Sequence, residues 1–300
     1  MSGKTRKINK NLYYWKGNNF GDELNRYLFE KVFGIQFNYC TDVWSADYVA
    51  IGSVLGWSCS KPVSLKDKVN YAHKLLTRKI KRSKLTVLGS GFLDWSENHK
   101  VRYLRKMDYK IVRGKLTEKY LRENSLLKGS VLLGDLGLLC PYMISEENKK
   151  YRLGIIPHYN DLNSPAVYDM YKKYGKDCIM INVQDEAETV IKQITECENI
   201  VASSLHGLII ADSYCIPNLW FENTLKYRAR ESRESGRFKY RDYYSIYGIN
   251  EIEPVGVLEL NEIALGRISE MYKVTQGAVT EKQEELYNYC KAYFEEAATR

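Results

Sequence analysis

Residues 201–217 read VASSLHGLIIADSYCIP. An apolar strand runs into Ser203 and Ser204 at a turn, His206 and Gly207 open a helix, and Pro217 closes it ahead of a further apolar run at 218–221. The surrounding stretch, Ile200 to Phe221, is the most apolar in the chain, yet His206, Asp212 and Pro217 interrupt it. A buried strand–helix–strand unit fits that pattern better than a membrane span.

Working outward, the same alternation recurs. Strands are expected at 153–157, 178–183 and 199–203, with helices near 165–173 and over 185–197. The earlier half begins with a strand at 11–16 and a helix at 22–33 capped by Asp22. Short apolar runs follow at 47–51, 85–88, 109–112 and 131–133, with a helical segment at 116–123. A polar stretch, Pro141 to Lys150, separates the halves. The class is therefore α/β: two Rossmann-like domains, 1–145 and 146–300, facing a cleft, the arrangement called GT-B in glycosyltransferases. Thr280 and Gln283 form a capping-box pattern ahead of a helix to about Glu295, which can cross back to the first domain.

The 300 residues are 44% hydrophobic and 27% charged, which suits two water-soluble domains and excludes a disordered chain. The first residues are basic but lack the apolar run of a secretory signal. Seven cysteines with no C-x-x-C pair argue against a disulfide framework or a zinc site, and a cytoplasmic location is expected. The net charge of +8 is uneven, since residues 61–120 alone carry 17 Lys and Arg against five Asp and Glu. Within that region Lys74, Arg78, Lys81 and Arg82 share one side of a helix while Val69, Ala72, Leu76 and Ile80 line another. The segment 61–84 is either a solvated helix packed on its own core or a contact for anionic membrane lipid. No nucleic-acid motif accompanies it, so no nucleic acid is expected.

Polar residues at strand ends are the candidates for chemistry, because the sheet fixes them at the cleft. In the loop GNNFGDELN (17–25), Asn19 and Asp22 are placed to contact substrate. The run GSGFLD (89–94) has Asp94 where a dinucleotide fingerprint needs glycine, so no NAD is expected. Arg113 follows a strand and offers a planar donor for carboxylate or phosphate, or else a domain-interface ion pair. Ser204, His206 and Gly207 begin a helix whose free N–H groups attract an anion. His158 ends the strand GIIPH. The basic, aromatic segment 223–244 reads as a loop able to fold over the cleft and bring Lys239 to a phosphate.

The segments YYWKGNNFGDELN, IGSVL, VLGSGF, IVRGKLT, LLGDLGLL, GIIPHY, SSLHGLIIADSYCIPNLW and FKYRDYYSIYG, in register from about residue 11 to 250, together resemble the polysaccharide pyruvyltransferase family. The branch most similar is that of the xanthan and succinoglycan ketal pyruvyltransferases. The resemblance implies transfer of pyruvate from phosphoenolpyruvate to two hydroxyls of one sugar, giving a cyclic ketal and phosphate. It further implies no cofactor, no metal, and a lipid-linked or polymeric saccharide acceptor for capsule, exopolysaccharide or lipopolysaccharide, handled at the inner face of the cytoplasmic membrane. The first domain would be the acceptor side and the second the donor side. Of the matching positions, His206 is expected as general acid, Arg113 at carboxylate or phosphate, Lys239 or Lys226 at phosphate, and Asp22 at acceptor hydroxyls or as base. Asn19, Ser204, Gly207 and His158 are expected to bind substrate.

Two rival functions share the fold. A nucleotide-sugar glycosyltransferase usually carries a ribose-binding Glu seven or eight residues after the histidine, where Ser213 and Tyr214 stand. An inactive scaffold of polysaccharide assembly would release no phosphate with any acceptor.

Overall fold

The computed structural model describes residues 5–56, 65–77, 81, 83–93, 105–223 and 230–299. Several of its strands are short and buried along their whole length, as in Leu85–Leu88, Leu153–Ile156, Ile200–Ala202 and Asn218–Glu222, while others such as Arg6–Tyr13 and Ile35–Cys40 are partly exposed. Strands with no polar face need cover on both sides, which only helices on each face of a parallel sheet supply.

The half built on the first sheet, called the first domain below, holds β1 (Arg6–Tyr13), α1 (Phe20–Phe33), β2 (Ile35–Cys40), β3 (Tyr48–Val49), α2 (Leu65–Leu76), β4 (Leu85–Leu88), β5 (Met107–Val112), α3 (Lys115–Glu123) and β6 (Leu132–Leu133). The second holds β7 (Leu153–Ile156), α4 (Pro165–Tyr174), β8 (Cys178–Met180), α5 (Ala187–Thr195), β9 (Ile200–Ala202), α6 (Leu205–Ser213), β10 (Asn218–Glu222), α7 (Arg230–Tyr244), β11 (Val255–Gly256), α8 (Val257–Leu260) and α9 (Leu265–Met271). The last helix is α10 (Gln276–Thr299). The sheet orders are β2-β1-β3-β4-β5-β6 and β11-β10-β9-β7-β8, and every pairing is parallel. Counted from its own first strand, the second sheet runs 2-1-3-4-5 and the first runs the same way with a sixth strand added, the doubly wound order whose ligand crevice lies where the winding reverses. Those reversals fall between β1 and β3 and between β7 and β9.

Four local expectations change. The strand β2 was not anticipated; the chain turns into it through Gly34, which caps α1 in the left-handed region at φ 62°. The cap of α1 is Asn19, whose Oδ1 accepts from the Gly21 amide at 3.0 Å, leaving Asp22 in the first turn. Segment 230–244 is a helix rather than a loop, because Tyr240, Tyr243 and Tyr244 bury one side of it and Phe238 buries another in a separate apolar cluster. Thr280 lies inside α10, whose start is held by Thr275 accepting from the Ala278 amide. Gln283 instead donates to the carbonyls of Leu138 and Ser213, at 2.9 and 2.8 Å.

The helix α10 does cross back to the first domain. Phe294 packs edge-on against Phe29 and Phe37, and Tyr293 and Tyr48 hydroxyls meet at 3.4 Å. A single buried apolar cluster runs from Leu24 and Leu28 of α1 to Val190 and Ile194 of α5, so the two domains share a core.

The helix α2 rests on the first domain through Tyr71, stacked at an angle against Trp44 with centroids 5.2 Å apart. Its apolar side does not pack on the protein's own core: Leu65, Val69 and Leu76 are 78%, 61% and 84% exposed. Lys81 pairs with Asp47, whereas Arg78, Ile80, Arg82 and the side chain of Lys74 lie outside the described residues. Among the described residues no helix is long and apolar enough to cross a membrane.

Candidate active site

The loops that leave the reversal-point strands of both sheets converge on one cleft of about 530 Å³. From the first domain, Asn19 and Asp22 follow β1 and Ser53 follows β3; from the second, His158 follows β7 and Ser204 and His206 follow β9. Lys239, on α7, completes the wall. The described lysine of the expected pair therefore reaches the site, and Lys226 lies outside the described residues.

Asp22 is placed here because Asn19 has taken the capping role. Its carboxyl is pushed up from 3.8 to about 7, first by burial and then by the neighbouring Glu23, with Lys239 pulling the other way. A carboxyl group in that state can both give and take a proton near neutrality.

His206 sits in the first turn of α6, against the first turn of α1. The approach is so close that a Cβ on Gly21 would lie 2.0 Å from the imidazole Nδ1, so only glycine fits there. On its other side Nε2 is 4.0 Å from Asp135 Oδ2, beyond hydrogen-bond distance, and has no hydrogen-bond partner among the described residues. Burial, then Lys239 and Arg113, lower its pKa from 6.5 to about 3, so the ring is neutral at pH 7. That state differs from a resting general acid. Asp135 is itself pushed up to about 6 by burial.

Lys239 is lowered to about 8, by burial first and by Arg113 second, with Asp22 and Asp161 opposing the shift. Its Nζ lies 5.1 Å from the centroid of the Tyr240 ring. A desolvated ammonium of this kind gains most from an arriving anion.

Arg113 is not on the wall. It is 1% exposed, with Nε donating to Asp242 Oδ2 at 3.0 Å, Nη1 to Ser53 Oγ at 2.6 Å and Nη2 to the Phe92 carbonyl at 2.5 Å. Of the two alternatives left open for this residue, the geometry is that of the domain-interface ion pair: its partner lies on α7. Its charge still reaches the cleft, since it depresses both His206 and Lys239. Gly207 is also set back, its Cα packed on Ile156 and Ala202 where a Cβ would meet Ile156 at 3.0 Å. It lets α6 close on the sheet rather than touching the cleft.

Behind the wall, Ser203 Oγ donates to Asp161 Oδ2 and accepts from the His158 amide, each at 2.9 Å, which fixes the loop bearing His158. Ser53, Asp135, Asp161 and Asp242 were not singled out from sequence. Asp135 and Asp242 carried a usable signal, each a lone carboxylate within an apolar or aromatic run, LLGDLGLL and FKYRDYY.

With this geometry in hand, the comparison with known families is decisive. The model of the polysaccharide pyruvyl transferase family matches residues 2–224. The chain belongs to that family. The match takes in the loops after β1, β3, β7 and β9 together with α6, and ends before α7 with its Lys239 and Asp242. The succinoglycan biosynthesis protein ExoV of Rhizobium meliloti (strain 1021) is 26% identical over 250 residues, covering 79% of this chain and 65% of that protein. The uncharacterized protein L143 of Acanthamoeba polyphaga mimivirus is 35% identical over 170 residues, covering 54% of this chain and 55% of that protein. The chain thus spans between half and two thirds of the length of these relatives. A crystal structure of an uncharacterized protein from Klebsiella pneumoniae subsp. pneumoniae NTUH-K2044 aligns at TM-score 0.44 and 13% identity, over 83% of this chain and 92% of that one.

Proposed function

We propose that the protein transfers the pyruvyl group of phosphoenolpyruvate to two hydroxyls of one sugar in a surface polysaccharide or its lipid-linked precursor, closing a cyclic ketal and releasing phosphate. The observation that carries this is the meeting in one cleft of a carboxyl poised near neutrality, Asp22, a desolvated lysine, Lys239, and a buried imidazole, His206.

The donor brings a carboxylate and a phosphate. Lys239 and the N-terminus of α6 face them, and Arg113 adds its field from behind. Chemistry starts with a proton delivered to the methylene carbon, giving a methyl group and an oxocarbenium-like C2. One sugar hydroxyl attacks C2 and loses its proton; the bond from C2 to the phosphate oxygen then breaks; the second hydroxyl closes the ketal. Of the two hydroxyl protons, one balances the proton now in the methyl group and the other leaves with phosphate. Asp22 is the group suited to these transfers. We assign neutral His206 to hydrogen bonding with an attacking hydroxyl, in place of the general-acid role expected from sequence, and Asn19, His158 and Ser204 to further contacts with substrate.

A nucleotide-sugar donor is disfavoured by the positions where a ribose-binding Glu would stand. Ser213 donates to the Ile210 carbonyl and Tyr214 to the Ile144 carbonyl, both at 2.7 Å, so neither side chain is offered to a ligand. The test is to incubate the protein with phosphoenolpyruvate and lipid-linked or free saccharides, following phosphate and the pyruvylated product by mass spectrometry. Acceptor-dependent phosphate release supports the proposal. Stabilisation by uridine or guanosine diphosphate without effect of phosphoenolpyruvate supports the rival, and no turnover with any acceptor supports the scaffold.

We also place the protein at an anionic lipid surface through α2. Leu65, Val69, Ala72 and Leu76 share one exposed face, and exposed Lys66 and Lys68 flank it.

A further inference from the structure

The rim and the floor of the cleft differ in chemistry. The floor is polar, with Asp22, Ser204, His206 and Lys239. The rim carries three large apolar side chains left open to solvent: Trp15 at 58%, Tyr159 at 44% and Leu93 at 39% exposed. Exposed aromatic groups gathered at one opening mark a binding surface rather than ordinary surface scatter.

Neither aromatic ring is loosely hung. The Trp15 indole crowds Gly17, so close that a Cβ there would sit 1.9 Å from the indole Nε1. Tyr159 leans on the His158 ring with centroids 4.0 Å apart and planes at 36°. His158 is held in turn by the hydrogen bond its backbone amide donates to Ser203 Oγ. One ring comes from the loop after β1 and the other from the loop after β7, so the two domains each contribute one side of the opening.

We propose that Trp15 and Tyr159 form an aromatic cradle for the pyranose ring of the acceptor sugar, presenting its hydroxyls to Asp22 and His206 below. A pyranose has an apolar face of C–H groups and an edge of hydroxyls. Aromatic faces at the rim match the former, and the polar floor matches the latter. The anionic donor has no apolar face and gains nothing from these rings; it belongs with Lys239. The cradle rests on the pyruvyl-transfer proposal for its orientation, and it accounts for a cleft larger than a three-carbon phosphate ester needs.

The experiment is saturation-transfer NMR on the full chain with methyl glycosides of glucose, galactose, mannose and N-acetylglucosamine, alongside thermal-shift titration with phosphoenolpyruvate. The wild type is expected to saturate the C–H face of at least one glycoside. Trp15→Ala and Tyr159→Ala are each expected to raise the glycoside Kd, obtained by titrating that signal, by at least about tenfold, equivalent to about 1.4 kcal/mol, with Trp15→Phe retaining part of the affinity. Stabilisation by phosphoenolpyruvate is expected to persist in both alanine variants, which also shows them folded. Absence of any glycoside signal in the wild type, or equal signals in wild type and both alanine variants, overturns the cradle. Glycoside binding that depends on Trp15, with no response to phosphoenolpyruvate, upholds the cradle and defeats the donor assignment instead.

Discussion

Arg113 of β5's carboxyl end donates from Nε to Asp242 Oδ2 at 3.0 Å, a buried ion pair that ties the first domain to α7. Asp242 also accepts from the Thr117 amide at 2.8 Å and from Thr117 Oγ1 at 2.7 Å, so both of its oxygens are partnered. Lys239 lies three residues earlier on the same helix, one turn away. The pair therefore sets the reach of Lys239 into the cleft. Removing either partner leaves a buried charge uncompensated, at a cost of about 3–5 kcal/mol. Arg113→Met and Asp242→Asn should each lower the melting temperature, and Arg113→Met with Asp242→Leu should recover part of the loss. Single variants as stable as the wild type would contradict this role.

Asp22→Asn separates stability from activity. The folded carboxyl holds its proton up to about pH 7 against an ordinary 3.8, so ionising it costs the folded state increasingly as pH rises through that window. The variant should match the wild type near pH 4 and exceed it by about 1–2 kcal/mol above pH 7, a discounted value for a carboxyl facing a cleft open to water. Its turnover should fall by about 10²–10⁴ fold. His206 acts in the opposite sense. Between pH 6.5 and about 3 the unfolded chain takes a proton that the folded ring refuses, so wild-type stability falls on acidification and His206→Asn should flatten that limb. Denaturant melts across pH check both signs.

Gly21→Ala tests the contact between α1 and α6. Alanine is otherwise the better helix former, yet its Cβ would meet the His206 ring at 2.0 Å and displace it. Turnover should drop by about 10² fold, the usual penalty for a misplacement of about 1 Å. Undiminished turnover would remove His206 from the account.

The exposed face of α2 predicts co-sedimentation with phosphatidylglycerol vesicles but not phosphatidylcholine vesicles, weakened by salt. Leu65→Gln with Leu76→Gln should abolish it without changing the melting temperature, since neither side chain is buried. Binding that survives the double variant would put the contact elsewhere.

The sheets and most helices were legible because fully buried strands such as Leu153–Ile156 leave unbroken apolar runs. The helix α7 was not, because its buried side is built of tyrosines among charged residues, a composition that reads as loop. Asp22, His206 and Lys239 could be found from their places after strands or in a basic aromatic stretch. What distinguishes Arg113 from them could not. A strand-end arginine looks the same in sequence whether it meets a ligand or, as here, a carboxylate on α7 129 residues away. Trp15 and Tyr159 were passed over for a related reason, as exposure is a property of the assembled cleft.

If the proposal holds, the anionic three-carbon donor is gripped by Lys239 and the N-terminus of α6, across the cleft from Asp22. Isothermal titration of phosphoenolpyruvate into wild type, Lys239→Met and Asp22→Asn tests it most directly. Saturable binding to the wild type is expected, with at least about tenfold weaker binding to Lys239→Met, equivalent to about 1.4 kcal/mol, and undiminished binding to Asp22→Asn, which removes a negative charge. No binding to the wild type, or equal affinity in Lys239→Met, would contradict it.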